Sequence, residues 1–370
     1  MLVRAQARVN VAAIERNVAT LAAAANGTPV CAVVKADGYG HGAAAAGRAA
    51  LAGGASWLAV AAAKEAVELR EAGITEAPLL VLGALTPGDL DAALAARADV
   101  TVWTDEMLDA VAARGGRVHI KLDTGMGRLG TRDVSHATIL AQRAAQTPGV
   151  ELVGAMTHFA TADERGDAFF GEQLTRFTAW VEALRAAGLD VIAHAANSAA
   201  LLRDPACHFD LVRPGVGIYG LDPFGEDPAA YGLEPALELS SWVAAVKAIE
   251  PGQSAGYGRR FVAEHVTWLA TVPIGYGDGW RRALTNNAEV LVAGARAPLV
   301  GTVSMDNITV ELAAADAAKP GDEVVLIGAR GGERILSEDV AERLGTINYE
   351  VTCGLLPRVP RMVHRDGDPL

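Results

Sequence analysis

This chain has little of several things, and each shortage excludes something. Only three of its 370 residues are cysteine, Cys31, Cys207 and Cys353, too few and too scattered for a disulfide framework or a thiolate metal site. They read as free thiols of a reducing, cytoplasmic setting. Aromatic residues make up 5% of the chain, so the core must be largely aliphatic. No apolar run reaches the length of a membrane span, because glycine or a polar residue interrupts each one. The opening Met-Leu-Val-Arg-Ala-Gln lacks the basic region and apolar core of a secretory signal. Basic residues are outnumbered 32 to 44, and a net charge of −12 argues against nucleic acid or anionic membrane as a partner.

What is plentiful is alanine and glycine. The chain is 51% hydrophobic with a mean hydropathy of +0.22, but much of that is alanine, so the value overstates core strength. The length suits two domains. From about Pro29 to Arg213, short β-type runs alternate with alanine-rich helical stretches. The runs are Val30–Val34, Trp57–Val60, Leu79–Leu82, Val100–Trp103, Val118–Leu122, Leu152–Thr157, Val191–Ala195 and Phe209–Val212. Such alternation implies parallel βα units. Eight of them fit a closed (β/α)8 TIM barrel, with a doubly wound open sheet as the competing architecture.

After the Pro/Gly-rich passage Gly220–Pro235 the rhythm changes. Leu237–Ile249, Trp268–Ile274, Ala288–Val292, Leu299–Val303, Ile308–Leu312 and Val324–Ile327 read as β-runs, broken by one short helix that Ser337 opens. The expected class is therefore α/β: an N-terminal barrel over residues 1–232 and a C-terminal, mostly β domain over residues 233–370. The first few residues, ahead of a helix capped by Asn10, are candidates to pair with the β domain.

In a barrel, chemistry collects where strands end. Lys35 ends the first run, in Ala32-Val-Val-Lys-Ala-Asp-Gly-Tyr-Gly-His-Gly42. At the mouth of a buried strand an ammonium is partly desolvated, which lowers its pKa and frees the amine to hold a carbonyl cofactor as a Schiff base. Alone, such a lysine more often merely ends a strand and snorkels to water. Lys121 and Asp123 end the fifth run, His158 the sixth, Asn197 and Ser198 follow the seventh, and Arg213 ends the eighth. Taken together they point to one site. Ser198 with the amides of Gly215 and Val216 suits a phosphate, and Arg213 suits a pyridine nitrogen. An arginine can donate only to an unprotonated nitrogen, which weakens the ring as an electron sink and disfavours side reactions such as transamination. Singly, each has a plainer role: Arg213 an ion pair, Ser198 a helix cap, His158 a core histidine. Gly125–Gly130 and Gly215–Gly220 match G-x-G-x-x-G, but they follow the fifth and eighth runs instead of opening a first βαβ unit.

The block Ala32–Gly42 resembles the cofactor-lysine signature of the alanine racemases. Later blocks of that family are resembled in order by Lys121-Leu-Asp-Thr-Gly-Met-Gly-Arg-Leu-Gly130, Thr157-His-Phe-Ala-Thr-Ala-Asp163, Asn197-Ser-Ala and Arg213-Pro-Gly. Gly256-Tyr-Gly, Ile274-Gly-Tyr-Gly-Asp-Gly-Trp280, Ser304-Met-Asp and Ile347-Asn-Tyr-Glu350 continue the series. The resemblance implies a pyridoxal phosphate enzyme that interconverts L-alanine and D-alanine by two-base transfer of the α-proton. Lys35 would bind the cofactor covalently and serve as base for the D-enantiomer, with Tyr257 as base for the L-enantiomer. Racemisation needs two bases on opposite faces, one removing the proton and the other returning it.

By the same resemblance, Tyr39, Ser198 and Tyr349, with the Gly215 and Val216 amides, would hold the phosphate. Arg213 would meet the pyridine nitrogen, and His158 would lie against the ring. Arg128 and the Met305 amide would orient the substrate carboxylate. Lys121 matches a lysine often carbamylated in the family, whose anion positions the arginine matched by Arg128. Tyr276 and Tyr349 would narrow the entrance. The family is a homodimer with shared sites, so Tyr257 and Met305 would act across an interface. The implied role is supply of D-alanine for peptidoglycan; a catabolic role is equally compatible. Ser304 and Thr302 depart from the family, standing where many members have cysteine and arginine.

Other readings remain. A decarboxylase of the same barrel type would carry an acidic partner for the ring nitrogen, which Arg213 is not. A racemase of broader specificity stays open, because spacing does not report pocket volume. A non-catalytic cofactor carrier would consist of the barrel alone, which the β-rich part argues against.

Overall fold

The computed structural model describes residues 3–370, and these form two compact units. One is Ile14–Ile218; the other joins the residues up to Ala13 with Tyr219–Leu370. β1 (Gln6–Asn10) belongs to the latter and ends in Asn10, whose side-chain oxygen accepts the Ala12 N–H at 3.1 Å and so starts the helix Val11–Ala24.

The unit Ile14–Ile218 contains β2 (Cys31–Val33), β3 (Trp57–Val60), β4 (Leu79–Val81), β5 (Asp99–Val102), β6 (Gly116–Lys121), β7 (Val150–Met156) and β8 (Ile192–His194). They lie side by side in chain order, every pair parallel. β2, β4 and β5 are buried at every position, as strands covered on both faces must be. Helices return the chain between them, several begun by the expected capping chemistry. Thr86 and Asp89 cap each other's backbone, Thr104 accepts from Met107 and Asp133 from Ser135.

The eighth run is not a strand. Val212 makes a single bridge, to Val30, because Phe209 turns the backbone left-handed at φ 49° and Pro214 has no N–H to donate. Residues 210–214 nevertheless close the ring. Cys31 and Val33 N–H donate to the Val212 and Pro214 carbonyls at 2.8 and 2.9 Å. On the other side, Asp210 and Arg213 donate to Ala193 and Ala196 at 3.0 and 2.7 Å. The result is a closed (β/α)8-type barrel with seven formal strands, not a doubly wound open sheet.

The other unit carries β9 (Leu237–Trp242), β10 (Ala245–Ile249), β11 (Ser254–Ala255), β12 (Phe261–Val262), β13 (Thr267–Val272), β14 (Glu289–Val292) and β15 (Ala295–Pro298). β16 (Ile308–Leu312), β17 (Glu323–Arg330), β18 (Glu333–Ile335), β19 (Arg361–Arg365) and β20 (Asp368–Pro369) follow. Its large sheet runs β15-β14-β17-β9-β1-β19-β20, with β18 beside β17, and a smaller one runs β10-β13-β16. β1 is antiparallel to β9 and parallel to β19. Leu239, Val290, Val310, Val324 and Leu326 build the core under these sheets.

Three details differ from the sequence reading. Leu237–Ile249 is two strands in different sheets, divided at the buried Val243. Leu299–Val303 is not a strand. Its neighbour Ala295–Pro298 is one, at a sheet edge where a missing proline N–H costs no ladder bond. A second helix, Asn348–Cys353, follows Ser337–Leu344 and was hidden by the β-rich rhythm around it. Among the described residues no helix is long and apolar enough to cross a membrane.

Candidate active site

Lys35 leaves β2 directly into an unusual turn. Ala36, Asp37, Gly38 and Tyr39 all have positive φ, 53°, 51°, 61° and 53°, making one turn of left-handed helix. Such backbone costs a non-glycine residue about 1–2 kcal/mol, so neighbours must hold it. Glu65 accepts the Ala36 N–H at 2.6 Å, Asp37 accepts the Ala43 N–H at 2.9 Å, and the Gly42 N–H returns to the Asp37 carbonyl at 2.8 Å. The glycines here serve the turn itself more than the approach of a ligand. The turn swings Tyr39 back until Lys35 Nζ lies 6.0 Å from its ring centroid. Strain of this kind beside a candidate nucleophile is typical of functional sites.

Tyr39, Ser198 and Gly215 come together. A Cβ on Gly215 would stand 2.4 Å from the Tyr39 hydroxyl, so only glycine lets the phenol reach this backbone. Ser198 Oγ accepts the N–H groups of Gly215 and Gly217 at 3.0 and 3.1 Å, gathering the loop that also contains Val216. Asn197, not Ser198, caps the helix Ser198–Arg203 by accepting the Ala200 N–H at 2.9 Å. Two hydroxyls beside the backbone of a glycine-rich loop suit a phosphate, for which the Gly215 N–H would exchange its bond to Ser198 Oγ.

Arg213 is buried beside this cradle. Its NH1 meets His194 Nδ1 at 2.8 Å, and its NH2 meets the Thr157 and Ala195 carbonyls at 2.8 and 3.1 Å and His158 Nδ1 at 3.3 Å. These bonds leave Nε–H and one NH1 hydrogen as donors that can address an aromatic nitrogen. Burial lowers the Arg213 pKa to about 10, which keeps it a cation at neutral pH. Burial and then the Arg213 charge push His158 well below the usual imidazole range, so it is neutral. A buried arginine with no carboxylate partner among the described residues suits a neutral pyridine nitrogen. The phosphate cradle and the arginine therefore both fit pyridoxal phosphate.

Lys121 ends β6 buried, and its pKa falls from 10.5 to about 8 through burial and then the charges of Arg213 and Arg128. The segment after it folds back on the strand: Thr131 N–H donates to the Lys121 carbonyl at 3.2 Å, and Asp123 N–H to the Thr131 carbonyl at 2.8 Å. Asp123 organises this loop, accepting from Gly125 and Gly127 N–H and from Arg132 Nε, each at 3.0 Å. Burial works to raise its carboxyl, but the Gly127 and Arg132 bonds outweigh it and hold the group below its ordinary value. Arg128 stands exposed on the same loop.

The remaining candidates lie in the unit Tyr219–Leu370. Tyr257 is 74% exposed and Met305 51%, high for side chains of that size. Tyr257 sits between Gly256 and Gly258, both at positive φ, and its carbonyl accepts Thr302 Oγ1 at 2.6 Å. Tyr276 N–H donates to the Ser304 carbonyl at 3.0 Å and Gly277 N–H to Met305 at 2.9 Å, which ties both segments together. Buried Asp278 anchors them, taking the Gly275 N–H at 2.8 Å, Arg4 NH2 at 2.5 Å and Arg358 Nε at 3.3 Å. Tyr349 is in the helix Asn348–Cys353.

Sequence reasoning passed over Asp99, His119 and His194, all buried in the barrel. The signal was there: His119 and His194 are polar residues inside runs that otherwise read as apolar strands, and Asp99 stands one residue ahead of such a run. It also missed Asp278, which looks like an ordinary loop aspartate until Arg4 and Arg358 are seen on it.

Two family models match the chain: alanine racemase, N-terminal domain, over residues 9–223, and alanine racemase, C-terminal domain, over residues 236–363. The chain is 41% identical over 362 residues to an alanine racemase of Symbiobacterium thermophilum, covering 96% of each chain. It is 43% identical over 369 residues to one of Thermobifida fusca, covering 97% of each. Among solved structures it is similar to the alanine racemase of Bacillus anthracis with bound L-Ala-P. There the TM-score is 0.92 at 38% identity, over 100% of this chain and 97% of that one. It is also similar to the alanine racemase of D-cycloserine-producing Streptomyces lavendulae, with TM-score 0.92 at 37% identity over 98% of each chain.

Proposed function

The chain belongs to the alanine racemase family and is an isomerase of that type, and from this we propose that it interconverts L- and D-alanine with pyridoxal phosphate as cofactor. The cofactor would supply the electron sink that acidifies the α-C–H of the amino acid joined to it. Everything else falls to side chains. Lys35 Nζ would hold the cofactor covalently and remove or return the proton on the D face, and Tyr257 Oη would do the same on the L face. Tyr39, Ser198 and Tyr349, with the Gly215 and Val216 amides, would hold the phosphate. Arg213 would donate from Nε to the ring nitrogen, with His158 against the ring. Arg128 and the Met305 N–H would bind the substrate carboxylate, and Tyr276 and Tyr349 would limit substrate size.

Lys121 would act as a carbamate. An amine with a pKa near 8 has enough neutral form at cellular pH to add carbon dioxide, and the resulting anion would face the Arg128 charge that now opposes it. The labour would divide between residues 1–232, which carry Lys35 and most of the cofactor contacts, and a β-rich part, residues 233–370, which would supply Tyr349 and the second base. The exposure of Tyr257 and Met305 supports a homodimer in which each β-rich part completes the other chain's site. A cytoplasmic place and a role in supplying D-alanine for peptidoglycan follow from the family.

The observation that carries this reading is Lys35 on its left-handed turn, with the Tyr39–Ser198–Gly215 cradle and Arg213 in the same barrel. Its test is proton NMR of the protein with pyridoxal phosphate in deuterated water, with chiral analysis of the products. L-Alanine should lose its α-proton signal as D-alanine appears, while larger amino acids stay inert. Exchange across a panel of amino acids would move the reading to a broad-specificity racemase. Cofactor binding without any exchange would overturn it in favour of a carrier.

A further inference from the structure

Arg213 is one end of a chain of hydrogen bonds through the barrel interior. Its NH1 meets His194 Nδ1 at 2.8 Å, His194 Nε2 meets His119 Nδ1 at 2.8 Å, and His119 Nε2 meets Asp99 Oδ2 at 3.1 Å. All four side chains are buried. The polarity of the chain has one solution. A guanidinium can only donate and a carboxylate can only accept. His119 must then donate from Nε2 to Asp99 and accept at Nδ1, and His194 must donate from Nε2 and accept at Nδ1 from Arg213. Each ring is neutral and limited to one tautomer by the two ends. Burial and the Arg213 charge push the His194 pKa well below the imidazole range, in keeping with a neutral ring.

The backbone is shaped to admit this chain. A Cβ on Gly154 of β7 would lie 2.2 Å from His119 Nδ1, so only glycine leaves space for the His119–His194 bond. At the same point the β6–β7 register shifts between Val118 and His119, re-aiming the ring. The far end is braced as well: Arg117 Nε meets Asp99 Oδ1 at 2.8 Å, and Arg117 NH1 meets Glu151 at 2.5 Å. Four buried polar groups crossing a barrel are costly unless every bond is made, and here every bond is made.

We propose that Asp99, His119 and His194 are positioning residues for Arg213. They keep an acceptor, never a donor, on its NH1 side and hold the guanidinium in one orientation, with Nε–H left for the ring nitrogen of the cofactor. The proposal rests on Arg213 meeting that nitrogen. If the relay is cut, Arg213 can turn away, the nitrogen can take a proton from water, and the stronger electron sink would leak into transamination, in which alanine leaves as pyruvate and its amino group stays on the cofactor as pyridoxamine phosphate.

The test uses protein labelled with 15N-histidine, as isolated and with pyridoxal phosphate added. In the wild type, both His119 and His194 should show a protonated Nε2 and an unprotonated Nδ1. His119→Leu should let Arg213 turn away from His194, so that His194 in part takes up an Nδ1–H tautomer, and raise pyruvate release per racemisation about tenfold, the scale of one hydrogen bond to a charged group. His119→Gln, which offers an acceptor and a donor in the same order, should restore both readouts. Should His119→Leu not fold, His119→Phe, closer in shape and equally without a ring nitrogen, carries the same test. An Nδ1–H on wild-type His194, or an unchanged pyruvate-to-racemisation ratio in the cut variants, overturns the proposal. Failure to bind pyridoxal phosphate would instead sink the functional reading, while the tautomers would still judge the relay.

Discussion

Lys121 shows how far a single residue can be displaced from its ordinary chemistry by its surroundings. Burial first, then Arg213 and Arg128, lower its pKa from 10.5 to about 8, although Asp123 pulls the other way. The folded state therefore binds fewer protons than the unfolded chain between those two values. Charging Lys121 costs stability fully below the lower value, and stability rises with pH through the window from about 8 to 10.5. The same shift makes the amine a nucleophile for carbon dioxide. Addition of 13C-labelled bicarbonate should give a protein carbamate resonance that grows as pH approaches 8 and is missing in Lys121→Gln. A signal indifferent to that substitution would place the carbamate elsewhere.

At the scale of the element, the left-handed turn after β2 is the feature most sensitive to small changes. Its positions are not equivalent. Gly38 is buried at φ 61°, and a Cβ there would meet the Ala43 backbone at 3.2 Å. Ala36 is exposed at φ 53° and already bears the strain of a Cβ. Gly38→Ala should therefore destabilise the protein by about 1–2 kcal/mol, and Ala36→Gly should cost nothing or stabilise slightly. Denaturant midpoints for the two variants measure this directly. Equal loss in both would mean that Glu65 and Asp37, rather than the φ preference of each residue, carry the turn.

At the scale of the whole molecule, the two candidate bases lie in different compact units, Lys35 in Ile14–Ile218 and Tyr257 in the other. The proposed homodimer with shared sites gives a test that needs no structure. Lys35→Ala and Tyr257→Phe subunits, each inactive alone, should regain activity when mixed under conditions of proven exchange. In a mixed dimer one site recovers both bases, so up to a quarter of full activity is expected if half the dimers are mixed and half the sites in them are complete. No recovery would place both bases of each site in one chain.

The barrel, the β-rich remainder and the family were legible in the sequence because each rests on local pattern. A charged residue closing an apolar run, a helix cap such as Asn10, or a block such as Ala32–Gly42 is visible within a few residues. Four features were not. The eighth run ended as a bridge because Phe209 and Pro214 limit pairing, which matters only once Val30 lies alongside. The turn at Ala36–Tyr39 is left-handed because Glu65 and Ala43 hold it from outside. Asp278 became an anchor when the chain brought Arg4 and Arg358 to it from opposite ends. The relay joins Asp99, His119 and His194 of three separate strands with Arg213 of the irregular eighth run, residues whose mutual distances no spacing encodes. Local chemistry is written in neighbouring residues, whereas the direction of a buried hydrogen bond depends on what the closed barrel places at its other end.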